Sequence, residues 1–179
     1  ARIAEDLGVR MITVHGRTRN QMYAGSADWA FVARVKAAVR VPVIVNGDIC
    51  SAEDAAEALR ASGADGVMIG RGAYGRPWLL AQVMAALSGS RVPEAPTVMA
   101  LLDLVLAHYQ AMLSHYGRTT GVGIARKHLG WYTKGLHGSA EFRNRVNQMA
   151  DPAEVERELR RFFVEAAAAQ PPARLPVAA

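Results

Sequence analysis

Two glycine-containing segments hold the residues of this chain that are best suited to binding a ligand. Each follows a short apolar run, and the two segments are Asn46-Gly47-Asp48 and Gly70-Arg71-Gly72. Glycine lets backbone N–H groups approach a phosphate closely, and an arginine can add a bidentate, charge-assisted contact. The two segments together predict a phosphate site. The alternative is that the glycines only permit tight turns and that Asp48 caps the following helix.

A third polar segment, His-Gly-Arg-Thr-Arg at 15–19, follows the apolar run at 11–14. His15, Arg17 and Arg19 suit an anion, which could be a cofactor phosphate or a nucleic-acid backbone. The single cysteine, Cys50, has no paired base nearby in the sequence, and we interpret it as a small packed residue. No metal site is predicted.

The elements that position these segments alternate regularly over the first half of the chain. Apolar runs at 11–16, 41–45 and 66–70 predict strands, and amphipathic stretches at 26–39, 51–63 and 76–89 predict helices. Ser26 is the predicted N-cap of the first of these helices. Ser51 with Asp54 forms a predicted capping box for the second, and Gly63 ends it. Continuous apolar runs are typical of parallel strands that are buried on both faces by crossover helices.

Three strand–helix units are too few for a closed (β/α)₈ barrel, which needs about 250 residues. The fold class predicted for residues 1–90 is therefore α/β, either as a small open sheet or as the last part of a barrel. The opening stretch, ARIAEDLG, reads as the end of a helix closed by Gly8, which indicates a piece of a longer protein.

The second half of the chain has a different organisation. A Pro-containing linker begins at residue 91, and helices are predicted at 97–116, 122–135, 139–149 and 152–169. We therefore predict an all-helical domain over 91–170 and a disordered tail at 171–179.

Positive charge is concentrated in this helical half. Residues 114–149 contain six Lys or Arg residues against the single acid Glu141, within a chain whose net charge is +5. Arg126, Lys127 and Lys134 are interleaved with Trp131 and Tyr132, a combination that can bind the backbone and bases of RNA. The alternative is a solvated basic face with the apolar residues turned inward.

Composition limits the class of protein. A hydrophobic content of 51% indicates a packed core, and one cysteine excludes an internal disulfide and suits a reducing compartment. No stretch is long and apolar enough to span a bilayer, so the predicted location is cytoplasmic.

The stretches HGRTRNQMYAGSADW, PVIVNGDI, GVMIGRGAYGRPW and RKHLGWYTKG together resemble the tRNA-dihydrouridine synthases, particularly the bacterial B-type group, over about residues 1–150. The resemblance implies an enzyme that binds FMN and uses NADPH to reduce particular uridines of tRNA. It also implies that residues 1–90 form strands 6–8 of a TIM barrel and that the helical domain binds tRNA. The residues implied in flavin binding are His15, Asn46, Gly47, Asp48, Gly70 and Arg71. Arg17 and Arg19 are implied at the mouth where the substrate enters.

The chain departs from the family pattern in one respect. The proton-donating cysteine and a flavin-binding lysine of this family come from the first half of the barrel, and Cys50 is in the wrong place to replace the donor. We therefore expect no catalytic residue in this chain, no activity of the chain alone, and a monomer when the protein is complete. Two alternatives stay open: another FMN-binding barrel such as a dihydroorotate dehydrogenase-like reductase, and a truncated RNA-binding module without activity.

Overall fold

The computed structural model describes residues 1–169, which form two compact units divided between Pro93 and Glu94. The predicted disordered tail at 171–179 lies outside the described residues. Among the helices of the described part, none combines the length and the apolar character that a membrane span requires.

The first unit is an α/β structure with a three-stranded parallel sheet in the order β1-β2-β3. Its elements are α1 (Arg2–Asp6), β1 (Ile12–His15), α2 (Trp29–Lys36), β2 (Val43–Asn46), α3 (Ala52–Ser62), β3 (Gly66–Met68), a 3₁₀ turn (Arg71–Ala73) and α4 (Leu79–Leu87). His15 pairs with Asn46, and Asn46 pairs with Met68, so the carboxyl ends of all three strands lie at one edge of the sheet.

The core of this unit lies between the sheet and its helices. Val43 and Val45 of β2 are fully buried and cluster with Val32 of α2 and Ala55 of α3. Ile44, by contrast, is only half-buried, and the strands on either side are partly exposed. The predicted burial of the strands on both faces is therefore wrong for the described residues, because the packed helices fully bury only one side of the central strand.

Helix α2 begins later than the sequence predicts. Asp28, not Ser26, caps it, and its carboxylate accepts a hydrogen bond from the Phe31 N–H at 2.8 Å. The preceding residue, Ala27, donates its N–H to Asp48 and is held outside the helix. Two of the predicted end signals of α3 are confirmed: Ser51 accepts from the Asp54 N–H, and Gly63 ends the helix in the left-handed conformation with a φ of 60°. The second half of the predicted capping box differs, because the Asp54 carboxylate accepts from the Cys50 N–H.

The second unit contains four helices within the described residues. They are α5 (Val98–Tyr116), α6 (Arg118–Tyr132), α7 (Ser139–Gln148) and α8 (Pro152–Ala169). Helix α6 begins four residues before its predicted start and ends three residues before its predicted end. The reason for the early start is Gly117, whose φ of 79° separates α5 from α6 within a single residue.

Aromatic side chains fill the centre of the helical unit. Tyr109, Phe142 and Phe163 are completely buried, and Phe162 packs against both other phenylalanines. Gly121 sets the approach of α6 to α5, because a Cβ atom there would lie 3.0 Å from the Cα of Leu113. This close approach fixes the position of α6, which carries two of the cations predicted to bind RNA.

Candidate functional site

A chain of hydrogen bonds crosses the three strand ends. The Asn46 amide donates from Nδ2 to the Met68 carbonyl at 2.7 Å, which turns its Oδ1 toward His15. The Nδ1 of His15 lies 2.6 Å from that oxygen and must therefore carry the hydrogen. In the neutral imidazole, Nε2 is then left as an acceptor on an exposed ring. The sheet edge thus presents one oriented imidazole to a ligand.

Gly47 follows β2 in a conformation that favours glycine, with a φ of 119°. A Cβ atom at this position would lie 2.8 Å from the Ala27 Cβ and 3.2 Å from the His15 ring. Its carbonyl accepts a hydrogen bond from the Trp29 indole at 2.8 Å. These contacts favour packing as the reason for this glycine, and the predicted cofactor contact of Gly47 stays a prediction.

The Asp48 carboxylate is heavily hydrogen-bonded at the strand ends. It accepts two hydrogen bonds from the Arg17 guanidinium, at 2.8 and 2.6 Å, and a third from the Ala27 N–H at 2.8 Å. The hydrogen bonds from Arg17 lower the pKa of Asp48 below its ordinary value of 3.8, and the Ala27 N–H adds to this effect. Asp48 therefore holds the segment before α2 rather than capping α3, which Ser51 does.

Arg17 lies inside the site. Its side chain is only 5% exposed, and it also donates hydrogen bonds to the carbonyls of Ala24 and Gly25. The Arg17 guanidinium is thus bonded to other groups of the protein. These contacts lend no support to the predicted role of Arg17 at the mouth of the site. Arg19, two residues later, is exposed and stays a candidate for contact with substrate.

Arg71 presents an accessible positive charge at the strand ends. Its side chain is 56% exposed, and its guanidinium lies over the Tyr23 ring at 4.7 Å from the ring centroid. The nearest carboxylate oxygen, Asp48 Oδ1, is 3.9 Å away and already bonded to Arg17. The Arg17–Asp48 pair is neutral overall, so Arg71 leaves a net positive charge at this edge.

The two glycines flanking Arg71 have different surroundings. A Cβ atom on Gly70 would meet no atom of the described residues within 4 Å, so the space beside it is open. A Cβ atom on Gly72 would collide with the Ile49 carbonyl oxygen. Gly70 is thus available for a ligand, whereas Gly72 permits the turn to pack against the segment after β2.

The thiol of Cys50 is exposed, so the interpretation of this residue as packed is wrong. The residue is held by its backbone: its N–H donates to Asp54, and its carbonyl accepts from Arg76. These two bonds fix the start of α3 and leave the side chain in solvent.

The helical unit contains a basic groove, formed by α6, the segment after it, α7 and the end of α5. Its cations are Arg126, Lys127, Lys134 and Arg143, and its other lining residues are Tyr116, Thr120, Gly123, Ile124, His128, Gly130, Trp131 and Asn147. The three cations selected from the sequence therefore lie together, and the structure adds Arg143 from α7. Within the part of the chain that the structure describes, no acidic side chain lines this groove.

The guanidinium of Arg126 is only partly hydrogen-bonded among the described residues. Its Nη2 donates to the Met149 carbonyl at 2.9 Å, while its buried Nε has no hydrogen-bond acceptor among residues 1–169. Lys127 lies against the Trp131 ring at 5.6 Å from the centroid. A buried N–H without a partner costs about 1–3 kcal/mol.

His128, which lines the basic groove, forms with His108 a cluster that no sequence pattern predicts. The His108 ring lies 5.1 Å from the His128 ring, and its Nδ1 is 2.9 Å from the Tyr132 hydroxyl. Burial lowers the pKa of His128 below its ordinary value of 6.5, and the charges of His108 and Lys127 lower it further. His128 is thus stabilised in its neutral form. The two histidines lie on different helices, so only the packing of α5 against α6 brings them together.

Comparison with known proteins identifies the family. A sequence profile of the dihydrouridine synthase family matches residues 1–168. A probable tRNA-dihydrouridine synthase of Rickettsia conorii is 54% identical over 163 residues, which are 91% of this chain and 49% of the relative. The tRNA-dihydrouridine synthase B of Xanthomonas campestris is 46% identical over 179 residues, which are 100% of this chain and 54% of the relative.

A probable tRNA-dihydrouridine synthase of Rhodobacter capsulatus is 51% identical over 166 residues, which are 93% of this chain and 51% of the relative. The chain thus spans about half the length of the relatives that it matches. The resemblance seen in the motifs is confirmed, and the chain belongs to the dihydrouridine synthase family.

Proposed function

We propose that this chain supplies one edge of the FMN site and the tRNA-binding unit of a tRNA-dihydrouridine synthase that uses NADPH as reductant. The observation that carries the proposal is the family match over residues 1–168, which includes both the strand ends and the basic groove. A dihydroorotate dehydrogenase-like reductase would leave the basic helical unit unexplained. A bare RNA-binding module would leave the strand-end site unexplained.

The residues at the strand ends fit a phosphorylated flavin. Arg71 offers an exposed guanidinium for a phosphate, and Gly70 leaves open space beside it. His15 offers a ring nitrogen, fixed in tautomer by Asn46, that can bind a ribityl hydroxyl. The chemistry that a bound FMN supplies is hydride transfer to the uracil ring. In this proposal Asp48 acts through its bonds to Arg17 and Ala27 rather than by touching the flavin.

Reduction of a carbon–carbon double bond also requires a proton on the second carbon. The exposed Cys50 has no hydrogen bond or ion pair to its thiol within residues 1–169, and we assign it no catalytic role. The proposal places the proton donor on a cysteine outside these 179 residues. The chain alone is then expected to be inactive.

The sheet supports placement in a (β/α)₈ barrel. Its three strands are parallel and adjacent in sequence order, as consecutive barrel strands are. Ile44 and Asn46, on the second face of β2, stay half-exposed, and Met68 of β3 is 47% exposed. In the proposed barrel, this face would point to the interior and be covered by the remaining strands.

The basic groove supports the assignment of tRNA as substrate. Four cations line the groove, and among the described residues no carboxylate lines it beside them. Such a lining suits a phosphate backbone. Trp131 adds an aromatic face of the kind on which bases stack. Lys134 and Arg143 extend the groove.

Salt-dependent binding tests this assignment. In the complete protein, Arg126→Ala combined with Lys127→Ala should weaken tRNA binding. The slope of log K against log salt should become shallower by about 1.5, because the double variant removes two cations that each neutralise one phosphate. FMN affinity should not change.

The matched control is Arg157→Ala with Arg160→Ala, which removes two exposed cations from α8 outside the groove. This double variant should bind tRNA nearly as the wild-type protein does. Equal effects of the two double variants would show that only net charge matters and would refute the groove as the RNA site.

A further inference from the structure

The segment between β1 and α2 is a closed loop tied to the end of β2 at both of its ends. At the start, the Gly16 N–H donates to the Asn46 carbonyl at 2.9 Å. At the end, the Asp28 N–H donates to the Gly16 carbonyl at 2.7 Å, and the Ala27 N–H donates to Asp48. The loop therefore has a fixed position relative to the strand ends.

Arg17 braces this loop from within. One guanidinium joins the Asp48 carboxylate to the carbonyls of Ala24 and Gly25, at the far side of the loop. Because the side chain of Arg17 is almost fully buried, solvent weakens these bonds little. The brace holds the residues just before Ala24, which include Tyr23.

Tyr23 is presented at the surface of the loop and is not part of the core. Its side chain is 73% exposed, and the preceding residue, Met22, has a left-handed backbone with a φ of 48° although it is 70% exposed. Burial therefore does not explain the turn at Met22. What the turn achieves is to place the Tyr23 ring beneath the Arg71 guanidinium, at 4.7 Å from the ring centroid.

The contact with an aromatic face leaves the donors of Arg71 available. A carboxylate partner would use the N–H groups along the edge of the guanidinium, whereas a ring contacts only its face. Asp48 Oδ1, at 3.9 Å from Arg71, lies beyond hydrogen-bond distance. The ring therefore restricts where the guanidinium lies without competing with an anion for its hydrogen bonds.

We propose that Tyr23 is a positioning residue for Arg71, held by the Arg17–Asp48 brace, and that this arrangement selects flavins bearing a phosphate over those without one. The inference rests on the proposed function, in which Arg71 binds the phosphate of FMN. It assigns to Tyr23 and Arg17 a task in cofactor selection that requires no contact between either side chain and the flavin.

The test compares the dissociation constants of FMN and riboflavin in the complete protein, measured by quenching of flavin fluorescence. Tyr23→Leu removes the aromatic face, and Tyr23→Phe keeps it. We expect Tyr23→Leu to lower the preference for FMN over riboflavin about threefold, the effect of one exposed cation–π contact, while riboflavin binding stays unchanged. Tyr23→Phe should retain the wild-type preference.

Two results would overturn the inference. One is an unchanged preference for FMN in Tyr23→Leu, and the other is an equal loss of affinity for FMN and riboflavin, which a purely structural role of the loop would give. A different result would show that the proposed function is wrong: Arg71→Ala would then leave the preference for FMN over riboflavin unchanged. If both proposals hold, Tyr23→Leu has no further effect on the preference in the Arg71→Ala background.

Discussion

Two glycines in α6 provide a direct test of how the helical unit is packed. Gly121 and Gly123 lie in the same helix, and replacement of either by alanine should gain the same helix propensity, up to about 1 kcal/mol. Their surroundings differ. A Cβ atom on Gly123 would meet nothing within 4 Å in the described part of the chain, whereas one on Gly121 would lie 3.0 Å from both the Leu113 Cα and the Met112 carbonyl oxygen.

The contact at Gly121 is with the backbone of α5, which cannot move aside as a flexible side chain could. Inserting a methyl group into such a packed interface typically costs about 1–3 kcal/mol. Gly123→Ala is therefore expected to stabilise the helical unit slightly, and Gly121→Ala to be the less stable variant by about 1–3 kcal/mol. That difference corresponds to a factor of roughly 5 to 150 in a local opening constant.

Hydrogen exchange at the amides of α5 and α6 measures this difference without requiring the two units of the chain to unfold together. Exchange in Gly121→Ala should be faster than in wild type, and exchange in Gly123→Ala should be equal or slower. Equal protection in the two variants would refute the close approach of α5 and α6, and with it the placement of the cations that α6 carries.

Two further predictions concern titrating side chains. Asp48→Asn should make stability depend less on pH in the acid range. The pKa of Asp48 is lowered in the folded chain, so its contribution to the free energy of unfolding is complete above pH 3.8 and is lost as the pH falls below that value. Thermal unfolding of wild type and variant across the acid range measures this difference. His108→Gln should raise the pKa of His128 toward 6.5 in an NMR titration, because one of the groups that lower it is removed. Since the folded chain favours neutral His128, the free energy of unfolding of the wild type should fall as pH drops through 6.5. The fall should be smaller in His108→Gln.

Helix boundaries can be predicted from the sequence where a local side chain sets them. Ser51 and Gly63 delimit α3 as expected, because a serine cap and a left-handed glycine each act within a few residues. The prediction of Ser26 as the N-cap of α2 is wrong, because the choice of cap depends on Asp48. Asp48 lies about twenty residues further along the chain and binds the Ala27 N–H.

The candidate site can be predicted in outline, because strand ends and glycines leave clear sequence patterns. His15, Asn46 and Arg71 lie at one edge of the sheet, as parallel strands require. Which charges stay accessible cannot be predicted in this way. Arg17 and Arg19 have the same chemistry in the sequence, yet the structure buries the first against Asp48 and exposes the second.

The basic groove shows the same limit. The cations of α6 are evident from local charge, but the contribution of Arg143 depends on the packing of α7 against α6. The contact between Arg71 and Tyr23 joins residues almost fifty positions apart and has no periodic pattern. Such contacts depend on the tertiary arrangement of loops.

The most direct test of the proposed function is the dihydrouridine content of tRNA that lacks this modification, measured by mass spectrometry after incubation with the complete protein, FMN and NADPH. The proposal predicts that particular uridines gain two hydrogens and that Arg71→Ala slows this gain at low FMN concentration. A protein that binds tRNA and yet forms no dihydrouridine under these conditions would contradict the proposal and leave an RNA-binding role in its place.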